Sequence, residues 1–146
     1  MPLSEMHERL PCLLDTHAWV WLVEGHSRLA KSPALPLIEL AAKLDHLYIS
    51  AISVWEFAML HRKGRLSVSC DIDVWIKRAL LDSSIQVMDL SIDILVQSAQ
   101  MSDAFHGDPA DRMIATTARL TRATLVSADA QILRYADAGD IRVQAV

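Results

Sequence analysis

Glycine and proline are scarce in this sequence, with four and five among 146 residues. That scarcity excludes collagen-like and low-complexity chains, which need those residues in bulk. Cysteine is scarcer still. Cys12 and Cys70 stand far apart, in no Cys-x-x-Cys or Cys/His spacing, so neither a disulfide scaffold nor a zinc site is indicated. Both are read as small buried thiols. No apolar run approaches the roughly 18 residues that a membrane span needs. The opening segment MPLSEMHERLP lacks the apolar stretch of a secretory signal, and the expected compartment is the cytoplasm. Basic charge is also in deficit, with 14 Lys and Arg against 18 Asp and Glu and a net charge of −4. This excludes a surface that is one continuous basic glove for nucleic acid. A nucleic-acid enzyme stays open, because a cluster of metal-holding carboxylates would itself push the count negative.

What the sequence does have is apolar material. Hydrophobic residues make up 52% and charged residues 22%, enough for a core that needs no staple. Residues 1–10 read as a polar tail and residues 11–146 as one domain. Short apolar runs at 12–14, 47–49, 85–88, 124–127 and 141–143 suit buried strands. Between them, helical spacing covers 16–23, 33–44, 50–62, 71–81, a stretch from a Ser91 cap to about 101, 109–121 and 130–135. In the helix at 50–62, Val54, Phe57, Ala58 and Leu60 form the expected buried stripe. Strands alternating with helices imply an α/β fold, with a mainly parallel central sheet flanked by helices on both faces. In such sheets chemistry gathers beyond the carboxyl ends of the strands.

Four acids fall at that edge. Asp15 follows the first strand, Glu56 lies in the opening turns of the helix after the second, Asp111 is in the first turn at 109–121, and Asp129 follows the fourth strand. Asp108 is a fifth candidate. Carboxylates brought within ~4–6 Å raise one another's pKa, so such a group persists when a cation sits among them. Oxygen ligands suit a hard divalent ion, which can activate water against a phosphodiester. Each acid also has a plain structural reading. Asp15, Asp108 and Asp129 can cap helices, Asp111 can favour a helix dipole, and Ser53 with Glu56 matches a capping box.

Four motifs resemble those of one family. Leu13-Leu14-Asp15-Thr16-His17-Ala18, Ser50-Ala51-Ile52-Ser53-Val54-Trp55-Glu56, His106-Gly107-Asp108-Pro109-Ala110-Asp111-Arg112-Met113-Ile114-Ala115 and Thr124-Leu125-Val126-Ser127-Ala128-Asp129 stand in the order found in PIN-domain proteins of the VapC toxin type. The resemblance runs from about residue 13 to 143 and implies a PIN-like domain over 11–146. It implies a metal-dependent endoribonuclease, the toxin of a toxin–antitoxin pair. Asp15, Glu56, Asp111 and Asp129 would surround Mg²⁺ or Mn²⁺, and a metal-activated water would cut RNA to leave a 5′-phosphate. Thr16 and Ser127 match assisting hydroxyls, Asp108 a supporting acid, and Arg112 a basic position able to hold a phosphate or an acid. Phe57-Ala58-Met59 stands where members often have Ile-Ala-Leu, a core change.

A toxin implies partners. An acidic pocket suits an Arg or Lys from a small antitoxin, and a homodimer through helices of the N-terminal half is expected. No membrane partner is. The basic run His61-Arg62-Lys63-Gly64-Arg65 reads as a solvated helix end or as an RNA rim. Arg112, Arg119 and Arg122 share one helix, where a solvated face is the plain reading of the last two. His17 and His106 are assigned to packing, and Trp19, Trp21, Trp55 and Trp75 to core or dimer contacts. Two other functions compete with the ribonuclease. One is a non-catalytic acidic pocket for a basic partner. The other is a phosphoaspartate-type phosphatase, weakened because His17 stands where that chemistry wants a second acid.

Overall fold

β-Branched and leucine residues concentrate in the shortest elements, and those elements form the middle of the molecule. The computed structural model describes residues 11–68, 70–82, 84–103, 105, 107–138 and 141–146. The N-terminal tail at 1–10 and His106 lie outside them. Five strands appear among the described residues: β1 (Cys12–Leu14), β2 (Leu47–Ser50), β3 (Gln86–Met88), β4 (Thr124–Ser127) and β5 (Arg142–Ala145). Every pairing is parallel and the order is β3-β2-β1-β4-β5. β1 is central, with Cys12 opposite both Leu47 and Thr124. A parallel strand buried on both faces reads as a continuous apolar run, and Cys12, Leu13 and Leu14 are all buried.

The two-residue period of a strand splits the core. Cys12, Leu14, Leu47, Ile49 and Val126 pack on one side of the sheet. Leu13, Tyr48 and Leu125 pack on the other. The first side is covered by α1 (Thr16–Glu24), α2 (Ser27–Ala30), α3 (Leu35–Lys43), α4 (Ala51–Arg62) and α5 (Ile72–Asp82). The second is covered by α7 (Pro109–Thr121) and α8 (Ala130–Ala138), with α6 (Ile92–Ala99) against α7. The expected α/β architecture with helices on both faces is therefore present.

Three local differences have physical causes. The helix expected over 33–44 starts later, because the Ser32 hydroxyl accepts the Ala34 amide at 3.0 Å and holds a turn there. The short α2 precedes it, begun by the His26 ring nitrogen accepting the Arg28 amide at 3.1 Å. Ser50 is extended rather than helical and caps α4 through the Ile52 amide. Ser53 therefore sits inside α4, and the capping box with Glu56 does not form. On α4 the fully buried positions are Ser53, Glu56 and Phe57, while Val54, Ala58 and Leu60 are half-buried. That pattern inverts the expected apolar stripe: the helix buries part of a polar face. Cys12 is buried and Cys70 half-buried, both as free thiols. No helix of the described residues is long and apolar enough to cross a membrane.

Candidate active site

Parallel strands bring all their carboxyl ends to one edge, and each following helix starts there. Asp15 leaves β1 and caps α1, with Oδ1 accepting the Ala18 amide at 2.8 Å. Its Oδ2 accepts the Ser127 hydroxyl from the end of β4 at 2.6 Å. The capping and pocket readings of Asp15 are thus both realised, on different oxygens. Asp108 caps α7 through the Asp111 amide at 2.9 Å, with Pro109 at the first helical position. Asp129 accepts the Gln131 and Ile132 amides at the start of α8, at 2.8 and 3.0 Å. Its own amide is held by Ser127 Oγ at 3.0 Å.

These elements enclose a cavity of about 240 Å³. Asp15, Glu56, Asp108, Asp111 and Asp129 line it, together with Thr16, His17 and Leu60. All five sequence-expected acids therefore meet in one place. Thr16 lies against the buried Ser53, hydroxyl to hydroxyl at 3.0 Å. Ser127 is buried behind Asp15 and positions it.

Acids so close together are electrostatically costly. Burial raises the Asp15 carboxyl above its ordinary range, opposed by the Ser127 and Ala18 hydrogen bonds. Burial raises Glu56 as well, opposed by the Thr16 hydroxyl and reinforced by the Asp108 charge. Asp111 is pushed up to about 8, first by burial and then by Asp108, Glu56, Asp129 and Asp15. No Lys or Arg lines this cavity among the described residues. Glu56, Asp108 and Asp111 can each place a carboxylate oxygen within 4.8 Å of the others. An all-oxygen, mutually repelling donor set fits a hard divalent cation, whose charge would lift the penalty.

Arg112 takes no part in the cavity. Its guanidinium donates to the carbonyls of Met101 at 3.2 Å and Phe105 at 2.8 Å. It ties down the chain ahead of α7, beside the cavity rather than in its wall. Gly107 lies on that same segment. An added Cβ there would run into the Phe105 ring and come within 3.0 Å of Asp111 Cβ, so glycine lets this loop pass beside the acids.

Sequence reasoning underweighted several residues. Ser53 was read as a helix cap, yet it is buried against Thr16. Trp21, expected in a core or dimer contact, packs half-buried against the core and also lines a second cavity next to the acids. His17 lines both cavities. The i, i+4 spacing of His17 and Trp21 after Asp15 was the available signal, since it puts both on one face of α1. Of the remaining tryptophans, Trp19 and Trp75 are buried as expected, while Trp55 is 57% exposed.

A family model described as PIN domain matches residues 12–138. Ribonuclease VapC22 of Mycobacterium tuberculosis is 30% identical over 106 residues, spanning 73% of this chain and 77% of that protein. Among solved structures, VapBC2 from Rickettsia felis, bound to a DNA fragment from its promoter, matches with a TM-score of 0.67. The identity there is 17%, over 93% of this chain and 98% of that one. DNA-bound VapBC from Salmonella typhimurium matches with a TM-score of 0.62 and 18% identity, over 93% and 98% of the two chains. At such identities the structural likeness is one of fold.

Proposed function

The chain belongs to the PIN-domain family, and on that premise we propose that it is a Mg²⁺- or Mn²⁺-dependent endoribonuclease, the toxin of a toxin–antitoxin pair. The observation that carries this reading is the cavity in which Glu56, Asp108 and Asp111 bring carboxylate oxygens within 4.8 Å of one another. Asp15 and Asp129 line the same cavity. A divalent cation held by these acids would supply the positive charge that activates water and stabilises the departing oxygen of a phosphodiester. The protein's own part is positioning. Ser127 fixes one oxygen of Asp15, and the α1 amide fixes the other. Thr16 reaches the Glu56 carboxyl and keeps it from drifting further toward the neutral form. Asp15, Glu56, Asp111 and Asp129 are the proposed metal and catalytic acids. Asp108 joins the metal-holding set more closely than its capping role alone would require.

Charge also argues for a protein partner. A cavity of five acids, with no Lys or Arg among its described lining residues, is a receptor for a basic side chain from an antitoxin segment. One solved structure of the same fold, from Klebsiella pneumoniae, is a toxin–antitoxin complex, which supports the same partner class. A homodimer through the N-terminal half is proposed with it, supported by the exposed apolar side chains of Leu44 and Trp55.

The test is cleavage of RNA by the purified protein with Mn²⁺, with chelator, and with chelator followed by excess Mn²⁺. Cleavage in the first and third conditions, leaving 5′-phosphate ends, is expected. Cleavage that persists in chelator, or none with Mn²⁺, overturns the reading.

A further inference from the structure

An acidic cavity repels the polyanion it is proposed to cut, so the RNA strand needs a cation beside it. A second cavity of about 210 Å³ adjoins the first and shares Asp15, His17 and Asp129 with it. Trp21, Arg28 and Ala128 complete its wall. Arg28 is the one Lys or Arg among the described residues lining the two cavities. Resting on the ribonuclease reading above, we propose that Arg28, mounted on Trp21, is the binding contact for an RNA backbone phosphate flanking the one that is cut.

The mounting is specific. The Arg28 guanidinium carbon lies 4.6 Å from the centroid of the Trp21 ring. A guanidinium over an indole uses its face for the cation–π contact and keeps its edge N–H groups for other acceptors. Those edge donors form the planar fork that matches a phosphate. Trp21 is itself held by the His26 ring, stacked at 5.5 Å and 28°. His26 Nδ1 in turn accepts the Arg28 amide at 3.1 Å. The three residues brace one another across the Gly25 turn, where φ of +65° ends α1. Arg28 is exposed, and no carboxylate pairs with it among the described residues. A long cationic side chain braced on an aromatic ring, with no carboxylate partner among the described residues and sharing its cavity with Asp15 and Asp129, is arranged for an anion arriving from solvent.

The assignment places the basic contribution on Arg28 rather than on Arg112, which donates to two loop carbonyls outside the cavity wall. It gives Trp21 a supporting role besides its packing against the core.

The experiment measures binding of a labelled, random-sequence, single-stranded RNA by fluorescence anisotropy across a salt series. An Asp111→Asn background prevents turnover, and the same substitutions in the otherwise unaltered protein are used for kinetics. Arg28→Ala is expected to weaken RNA binding about tenfold. It should flatten the slope of log affinity against log salt by about 0.7, the loss of one single-strand phosphate contact. KM should rise by about the same factor with kcat little changed. Arg28→Lys keeps the charge without the planar fork, so it should restore the slope but only part of the affinity. Mn²⁺ affinity should be the same in parent and variants. Unchanged affinity and salt slope in Arg28→Ala, with RNA still cleaved by the parent, overturns this contact and leaves the ribonuclease reading standing. No RNA binding by the parent overturns both.

Discussion

Glu56 and Phe57 are consecutive on α4, and they open onto two regions built on opposite terms. Phe57 enters an aromatic cluster, stacked on Trp75 at 4.2 Å and 15° and meeting the edge of Trp19 at 5.7 Å. Trp19 and Trp75 close the triangle at 5.3 Å. The Trp75 indole N–H donates to Glu24 at 2.6 Å, which ties α5 to the end of α1. The ring contacts there favour the folded chain, against the cost of a buried Trp19 indole N–H with no hydrogen-bond partner. Glu56 enters the acid cavity, where burial and like charges oppose it. The same division runs along α1, with Asp15 and Thr16 at the cavity and Trp19 in the cluster. Two helices therefore carry both a stabilising and a destabilising load. The cluster holds α1 and α4 at a fixed separation, and that separation keeps carboxylates together that would otherwise move apart.

The largest expected break of this contrast is on the aromatic side. Phe57→Ala removes a side chain with no solvent exposure and should cost about 3–5 kcal/mol of stability. Denaturant unfolding measures it. A loss below about 1 kcal/mol would mean that the cluster does not anchor α4.

The acid side should respond in two opposite ways to one substitution. Asp111→Asn removes a carboxyl that its neighbours disfavour. RNA cleavage should fall by about a hundredfold or more, equivalent to about 2.7 kcal/mol. The metal-free protein should melt a few degrees higher at neutral pH, since folding no longer has to protonate a carboxyl there. Lower cleavage with a lower melting point would show that Asp111 supports the fold rather than straining it.

The smallest effect sharpens the same point with pH. Asp15, Glu56 and Asp111 are raised in the folded state, so the folded chain binds more protons than the unfolded one. Stability contributed by these groups is then present in full below the ordinary carboxyl range of about 4 and declines as pH rises. For Asp111 the decline runs up to its folded value of about 8. A saturating divalent cation offsets the charge that accumulates. The gain in melting temperature on adding Mg²⁺ should therefore widen from about pH 5 to about pH 8. A gain that stays flat across that range would place the ion elsewhere.

Much of the architecture was legible because its signals are local. The run Cys12-Leu13-Leu14 is apolar without alternation, which only a strand covered on both faces tolerates. The acids were legible for the same reason, since each follows a strand or opens a helix. Less legible were features fixed by what crosses between elements. Ser53 looked like a cap because Ser-x-x-Glu is a cap pattern, and only the extended backbone of Ser50 shows otherwise. Arg112 matches a basic position of the third motif, one able to hold a phosphate or an acid. On a helix, neighbours in sequence point about 100° apart, and Arg112 turns to the loop carbonyls instead. The Trp21–Arg28 pair spans a left-handed Gly25 turn, which no periodicity reveals.

The bond from Ser127 to Asp15 joins residues 112 positions apart, and this has a consequence for the order in which the protein is made. During translation β1 emerges first, but its partner β4, along with Asp111 and Asp129, follows only after most of the described chain. A nascent chain that has not yet released Ser127 and Asp129 carries Asp15 without its hydroxyl partner and without one of the acids. Contacts of such long range also form late in folding. Whatever the cavity does, a product cut short before Thr124 lacks both Asp129 and the hydroxyl that holds Asp15.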